Sequence, residues 1–404
     1  MLTFRTSTTL KASSLVTVIA AALASLTILL NQRQEMSLYP TIAMVVLAGL
    51  SLVALKPHTR VRQYSASRIL LALLAVGFIS NMNYLSGEVK TPFENWARFS
   101  FPILLVPFST VLILRSRENL RIFTVFFLVV AVFAVYKVHT ISDILVSLLS
   151  DSLQTNWGNA LAAASPFIFF VRNRIVRNAL LLVVVLTLVV SLKRTAFLSA
   201  AVLVFSLLLA NWDGMLKRTR FTVRNAIVAL VGLIGSMAAV FMALRDERMN
   251  YYFDRAFIRI ENARVDGGSG RTAIWADSSR IMEDSGILGN IFGHGFGWFD
   301  DNGHRYGFAV ESLHSDLVDF WISFGLAGVL IYIALLGRLA YLAVFVSRNH
   351  REHMAFAISS VLIFYIYSMF AGVFFFYAFF TPLFVAVGVL EAFRNSAPPR
   401  AYKK

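Results

Sequence analysis

The chain has 404 residues, of which 58% are hydrophobic and 15% charged, with a mean hydropathy of +0.69 and a formal net charge of +15. A soluble globular domain is about half apolar and about one-quarter charged, so this composition excludes an ordinary water-soluble enzyme and points to lipid as the solvent. The lack of cysteine removes disulfides and thiolate chemistry, and the positive charge, dispersed over short polar breaks, reads as a membrane topology signal rather than a nucleic-acid surface.

A hydrocarbon core of about 30 Å takes about 20 mostly apolar residues of helix to cross. Twelve runs suit such spans, near residues 13–30, 38–55, 68–86, 98–114, 119–136, 156–171, 176–192, 195–211, 225–243, 317–337 (open to extension to 346), 355–371 and 373–391. Pro102, Pro107, Pro166 and Pro382 fall inside them; neighbouring helices re-satisfy the carbonyls that proline frees, so they do not argue against helix. The first run is built like a signal sequence, but no convincing small-residue cleavage site follows it and it reads as a retained anchor. The expected fold is all-α integral membrane, with about 12 transmembrane helices and one large, partly helical loop.

Lysine and arginine placement sets the orientation. The inner segments are the tail with Arg5 and Lys11, Lys56 to Arg68, Arg115 to Arg121, Arg172 to Arg177, Lys217 to Arg224, Arg348 with Arg351, and the C-terminal tail; the short outer loops are poor in basic residues. Both termini are therefore expected in the cytoplasm. The chain divides into residues 1–243 with nine transmembrane helices, 244–315 as the large extracytoplasmic loop, and 316–404 with the last three helices and a cytoplasmic tail.

The loop is too rich in aromatic and aliphatic residues for a floppy linker. Between Arg245 and Arg264, Tyr251, Arg255, Ile258 and Arg259 recur with helical spacing, as in an amphipathic helix lying on the membrane. Asp266-Gly267-Gly268-Ser269-Gly270 breaks it. A second helix is expected from Arg271 to about Glu283, with Ser269 as N-cap. Gly293-His294-Gly295-Phe296-Gly297 lacks the flanking strand and helix and the Lys-Ser/Thr of a phosphate loop, and reads as a tight turn.

Three places carry chemistry. Lys193 and Arg194 sit in a turn between two apolar runs on the outer side, where positive-inside statistics disfavour cations. They face a water-filled site with an anionic ligand, or snorkel to headgroups. Arg271, at a helix N-terminus, can bind phosphate oxygens through paired hydrogen bonds, or pair with Asp266 or Asp277 on the surface. His314 stands where the polar loop meets the tenth run, open to readings as core residue, metal ligand or base. No metal-ligand spacing surrounds it, and no metal site is assigned. Gly325 and Gly328, with Ala327, form a small-residue face suited to close helix contact.

His314-Ser315-x9-Gly325-x2-Gly328 resembles the His-[Asn/Ser/Gln]-x9-Gly-x2-Gly motif of bacterial O-antigen ligases, and Arg194-x3-Leu198 resembles the Arg-x3-Leu motif on the same side of the membrane in that family. Gly270-Arg271-x3-Trp275 with its glycine-rich sequel is similar to the large periplasmic loop shared with Wzy-type O-antigen polymerases. The motifs cover the chain from about Asn156 onward; the first five runs match by hydropathy alone. The resemblance implies a membrane glycosyltransferase of the GT-C type in the bacterial inner membrane, its active site periplasmic. The donor would be a glycan on undecaprenyl pyrophosphate, the acceptor a sugar hydroxyl of lipid A-core, and the surroundings membrane lipid, with no cofactor and no nucleic acid. His314 would be the base; Arg194, Arg271 and Lys193 would hold the pyrophosphate, in place of the metal for which the sequence has no Asp-x-Asp pair. Ser315, Asp316, Asp319, Gly325, Gly328 and Trp275 would support them, Asp316 and Asp319 either by orienting the imidazole or by complementing the helix dipole. A Wzy-type polymerase using the same donor, a lipid-linked glycan flippase and a membrane O-acyltransferase are the rivals.

Overall fold

The computed structural model describes residues 8–30, 39, 42–43, 45–48, 65–84, 92–140, 153–191, 194–217, 271–296, 298–303, 313, 315–374 and 376–396. All regular structure among them is helical. The long helices are α1 (Thr8–Leu30), α2 (Ser65–Tyr84), α3 (Pro92–Arg115), α4 (Arg117–Thr140), α5 (Leu153–Ala164, continued by the 3-10 turn Ser165–Phe170), α6 (Arg174–Val190) and α7 (Arg194–Lys217). The loop then supplies α8 (Arg271–Glu283), α9 (Ile287–Phe292) and α10 (Trp298–Asn302), and α11 (Asp316–Asn349), α12 (Met354–Phe370) and α13 (Tyr377–Ser396) complete the chain.

Ten of the twelve apolar runs coincide with these helices. Run 225–243, most of run 38–55, the amphipathic stretch 245–264 and Ser269 lie outside the described residues. Four described helices are long and apolar enough to cross a membrane, at Ser13–Leu30, Arg117–His139, Asp316–Asn349 and Tyr377–Ser396. Shorter apolar helices occur at Arg68–Ser80, Phe99–Arg115, Thr195–Leu209 and Met354–Phe370.

The apolar sequences form helices because lipid offers no partner for a backbone amide, so each must be satisfied within its own segment. Hydroxyls repeat this locally: Thr17, Thr124, Thr187, Ser199 and Ser359 each donate to the carbonyl one turn back. The start of α6 is capped by Asn173, whose Oδ1 accepts from the amides of Ile175 and Val176 at 3.0 and 3.3 Å.

Helix α13 is the axis of the bundle. Of its apolar span 89% is buried, against 28% for α11, so α13 is the protein-enclosed helix and α11 presents much of its surface outward. It packs closely along α3 at Gly388, where a Cβ would stand 2.0 Å from Ser109 Oγ and 2.9 Å from the Val106 carbonyl; the missing side chain lets the backbones meet. Thr110 Oγ1 lies within hydrogen-bond reach of both the Val106 and Gly388 carbonyls, at 2.8 and 3.2 Å. Less than a turn beyond Gly388, Glu391 is fully buried and accepts from the Arg338 guanidinium in a bidentate pair, Nε at 3.0 Å and Nη2 at 2.9 Å, and from the Ala66 amide at 2.9 Å. One carboxylate thereby joins α13, α11 and the first turn of α2.

Candidate active site

Helix α11 opens at Asp316, with buried Ser315 as its N-cap. Its sequence reads as one continuous apolar helix, but the backbone breaks at Gly325, where φ is 62° and ψ −157°. Only glycine adopts that conformation readily. The break takes the carbonyls of Ile322 and Ser323 out of the helical ladder, and in lipid they need new donors. They receive them from the loop: the amides of His294 and Gly295 donate to Ile322 and Ser323, each at 2.9 Å.

Gly293 is the reciprocal device. Its φ of 73° and ψ of −166° nearly repeat those of Gly325, and a Cβ there would lie 2.3 Å from the Phe324 amide nitrogen. A Cβ on Gly325 would lie 2.5 Å from the carbonyl carbon of Ile291. Two backbones therefore meet through two glycines. Residues 293–296 of the glycine-rich segment make the tight turn expected, and they dock on a broken helix. The close helix contact expected at Gly325 is made with the short loop helix α9, through the backbone of Asn290 and Ile291. Gly328 accommodates the break itself, a Cβ there lying 2.3 Å from Phe324 Cβ.

Side chains reinforce the clasp. Phe296 enters the main core against Phe99 and Phe324, with ring centroids 5.0 and 6.3 Å away, and Phe99 lies 4.7 Å from Phe324. The Ser80 hydroxyl of α2 donates to the Phe292 carbonyl. His294 stacks on Trp298 at 4.3 Å, and its Nε2 lies 2.6 Å from Ser285 Oγ; burial pushes this imidazole below its ordinary range. A separate small core of Ile281, Met282, Phe299, Leu313 and Ile322 joins the loop to the start of α11.

Helix α8 spans Arg271 to Glu283, the limits read from the sequence. Trp275, one turn after Arg271, donates its Nε1–H to the Leu313 carbonyl at 3.1 Å. The residue before His314 is thus tied to the helix that Arg271 begins. On the other side, the Asp316 carboxylate accepts from Ser368 Oγ at 2.5 Å and from the amides of Val373 and Phe374 at 3.0 Å each, while the Tyr332 hydroxyl meets Ser368 at 2.6 Å. Asp316 therefore holds the turn between α12 and α13. Asp319 is half-buried in the same first turn, its amide donating to the Ser315 carbonyl at 2.9 Å.

Next to Ser368, the buried Tyr367 hydroxyl is turned toward Thr195 and Ser199 in the first turns of α7 without a hydrogen bond to either. The starts of α8 and α11 are therefore joined by the Trp275–Leu313 bond, and α7 packs on α12, whose Ser368 binds Asp316 at the start of α11. Arg194 begins α7 and Arg271 begins α8, but their side chains lie outside the described residues, as do Lys193 and His314 entirely. Ser368, Ser80 and the amides of residues 294 and 295 carry no motif; only the glycine spacing at 293 and 295 signalled them. Among the described residues no group of three His, Cys, Asp or Glu side chains is placed to hold a metal ion.

The fold and this junction define a multi-pass helical membrane protein whose inserted loop clasps a broken helix. Residues 179–333 match the family model Wzy_C, described as O-antigen ligase. The matched segment runs from α6 into α11 and contains Lys193, Arg194, Arg271, Trp275, His314, Ser315, Asp316, Asp319, Gly325 and Gly328. Over that segment the resemblance to the O-antigen ligase and Wzy-type superfamily holds. No curated protein matches the chain.

Proposed function

We propose that the protein is an O-antigen ligase: a metal-independent, inverting GT-C-type glycosyltransferase that moves a glycan from undecaprenyl pyrophosphate to a sugar hydroxyl of lipid A-core, on the periplasmic side of the bacterial inner membrane. The observation that carries the reading is the Wzy_C match over residues 179–333. The gathering of the starts of α7, α8 and α11 at one end of the bundle, by packing on α12 and by the Trp275 and Ser368 bonds, supports it, since a pyrophosphate clamp and a base must work on one substrate.

In this reading His314 accepts the proton of the acceptor hydroxyl as its oxygen bonds to the anomeric carbon from the face opposite the leaving group. The anomeric carbon–phosphate oxygen bond breaks, and undecaprenyl pyrophosphate departs with the electron pair. Arg194 and Arg271, supplemented by Lys193, stabilise the charge it gains. Asp316, Ser315 and Trp275 hold the backbone that presents the base.

The test is transfer in vitro, with lipid-linked glycan and acceptor glycolipid, in chelator, for the wild type and for His314→Ala, Arg194→Ala and Arg271→Ala. Retained wild-type activity in chelator with loss in the variants is expected. Strict metal dependence overturns the arginine clamp, and full activity of His314→Ala overturns the base. Extension of one lipid-linked repeat by another, with no product on the acceptor glycolipid, assigns the chain to the polymerases instead.

A further inference from the structure

Helix α9 is held tightly on one side and uncovered on the other. Its backbone is fixed by Ser80 of α2 and by the break in α11, yet Ile287, Leu288 and Ile291, spaced to share one helical face, are 81%, 64% and 40% exposed. Three branched aliphatics uncovered on a six-residue helix are costly in water, at roughly 25 cal/mol for each Å².

The surroundings identify what covers them. Phe78 and Ile79, beside Ser80, are exposed apolar residues on α2, and Leu326 is the first of a series on α11, with Leu330 and Ile333, that begins immediately beyond Gly325. Exposed apolar residues thus stand on both apolar helices next to the positions that grip α9. Its depth agrees. Ser80 precedes the end of α2 at Tyr84 by one turn, about 6 Å, and the carbonyls of Ile322 and Ser323 lie about 10 Å along α11 from Asp316. An interfacial helix buries its apolar face about 5–10 Å into the boundary of headgroups and acyl chains.

The polar atoms fit the same medium. Asn290, exposed on α9, turns its amide back to donate to the Ser285 carbonyl at 2.7 Å and lies 3.4 Å from that of Gly286. Amide donors satisfied by the backbone just before the helix need no water. The charged Glu283 and Asp284 come before the helix begins.

We propose that α9 is a membrane-dipping element, its Ile287, Leu288 and Ile291 face seated among the acyl chains of the adjoining leaflet between α2 and α11. The loop is thereby anchored in lipid beside the candidate active site. The inference rests on the membrane location of the chain and not on the identity of donor or acceptor.

The native chain has no cysteine, so one introduced cysteine labels one position. The full-length variants Ile287→Cys, Leu288→Cys and Ile291→Cys, with Asp284→Cys and Leu330→Cys as water-facing and lipid-facing references, are labelled with a small fluorophore. They are then reconstituted in phosphatidylcholine–phosphatidylglycerol vesicles. Nitroxide lipid labelled near the top of the acyl chain is expected to remove most of the emission at 287 and 288, with iodide having little effect, and the reverse is expected at 284. Iodide quenching at 288 equal to that at 284 overturns the proposal, as does protection from both quenchers, which means protein covers the face. Position 291 gives an independent reading should either of the others fail to fold.

Discussion

Gly325 and Gly337 belong to the same helix and answer to different physics. At Gly325 the positive φ and the carbonyl carbon of Ile291 leave no room for a methyl group, whereas nothing lies within 4 Å of a Cβ at Gly337. Gly325→Ala is expected to cost about 1–3 kcal/mol or more through strain and loss of the clasp. Gly337→Ala should gain about 0.5–1 kcal/mol from helix propensity. Thermal unfolding in detergent reads both, and equal effects of the two would refute the break. His294 supplies a test in pH. Its pKa is lowered by burial, so the folded state favours neutral imidazole while the unfolded chain takes up its proton first on acidification. The stability it contributes is complete above about pH 6.5 and is lost as the pH falls through the folded value. The midpoint of unfolding should drop on acidification, and His294→Gln should flatten that drop.

Among the elements, α8 is where sequence and structure agree most closely: the glycine-rich stretch before Arg271 and the helical register to Glu283 are local signals, and local signals determine a short polar helix. What α8 does is not local. Its Trp275 bond to Leu313 crosses 38 residues of chain and fixes the backbone beside His314. Trp275→Phe keeps the ring and removes the donor, at a cost of about 0.5–1.5 kcal/mol. If the bond positions the base, transfer at saturating acceptor should slow by up to about tenfold, with KM little changed. A rise in KM alone would mean that Trp275 meets substrate instead. The starts of α7 and α11 were legible as candidate site elements because their cations and histidine stand at apolar boundaries. Their approach beside Tyr367 and Ser368 of α12 was not, since serine and tyrosine in an apolar run look like any other tolerated polar residue.

At the scale of the whole molecule, the bundle is tied far from that junction by Arg338 and Glu391, with side chains 10% and 0% exposed. Arg338 has no place in a topology count, lying within an apolar run; its partner resides two helices later. Glu391→Leu alone leaves a guanidinium without its counter-charge and frees the Ala66 amide, and should destabilise by about 3–5 kcal/mol. Arg338→Met with Glu391→Leu should recover most of that loss, since a well-packed apolar pair serves as well in such a setting. Unfolding of the single and double variants measures the coupling, and additive losses would show that the pair is not a unit.

Hydropathy and charge by themselves determined the apolar helices and the inserted loop, because a segment in lipid must close its own hydrogen bonds regardless of its neighbours. The same residues marked the positions where chemistry should lie: 194, 271 and 314. Tertiary structure alone decided that α11 breaks at Gly325, that the carboxylate of Asp316 serves the α12–α13 turn, and that Phe296 leaves the loop for the core. Each depends on which backbone or amide arrives from elsewhere in the chain, and the sign of a glycine's φ is set by that arrival, not by the residues on either side of it.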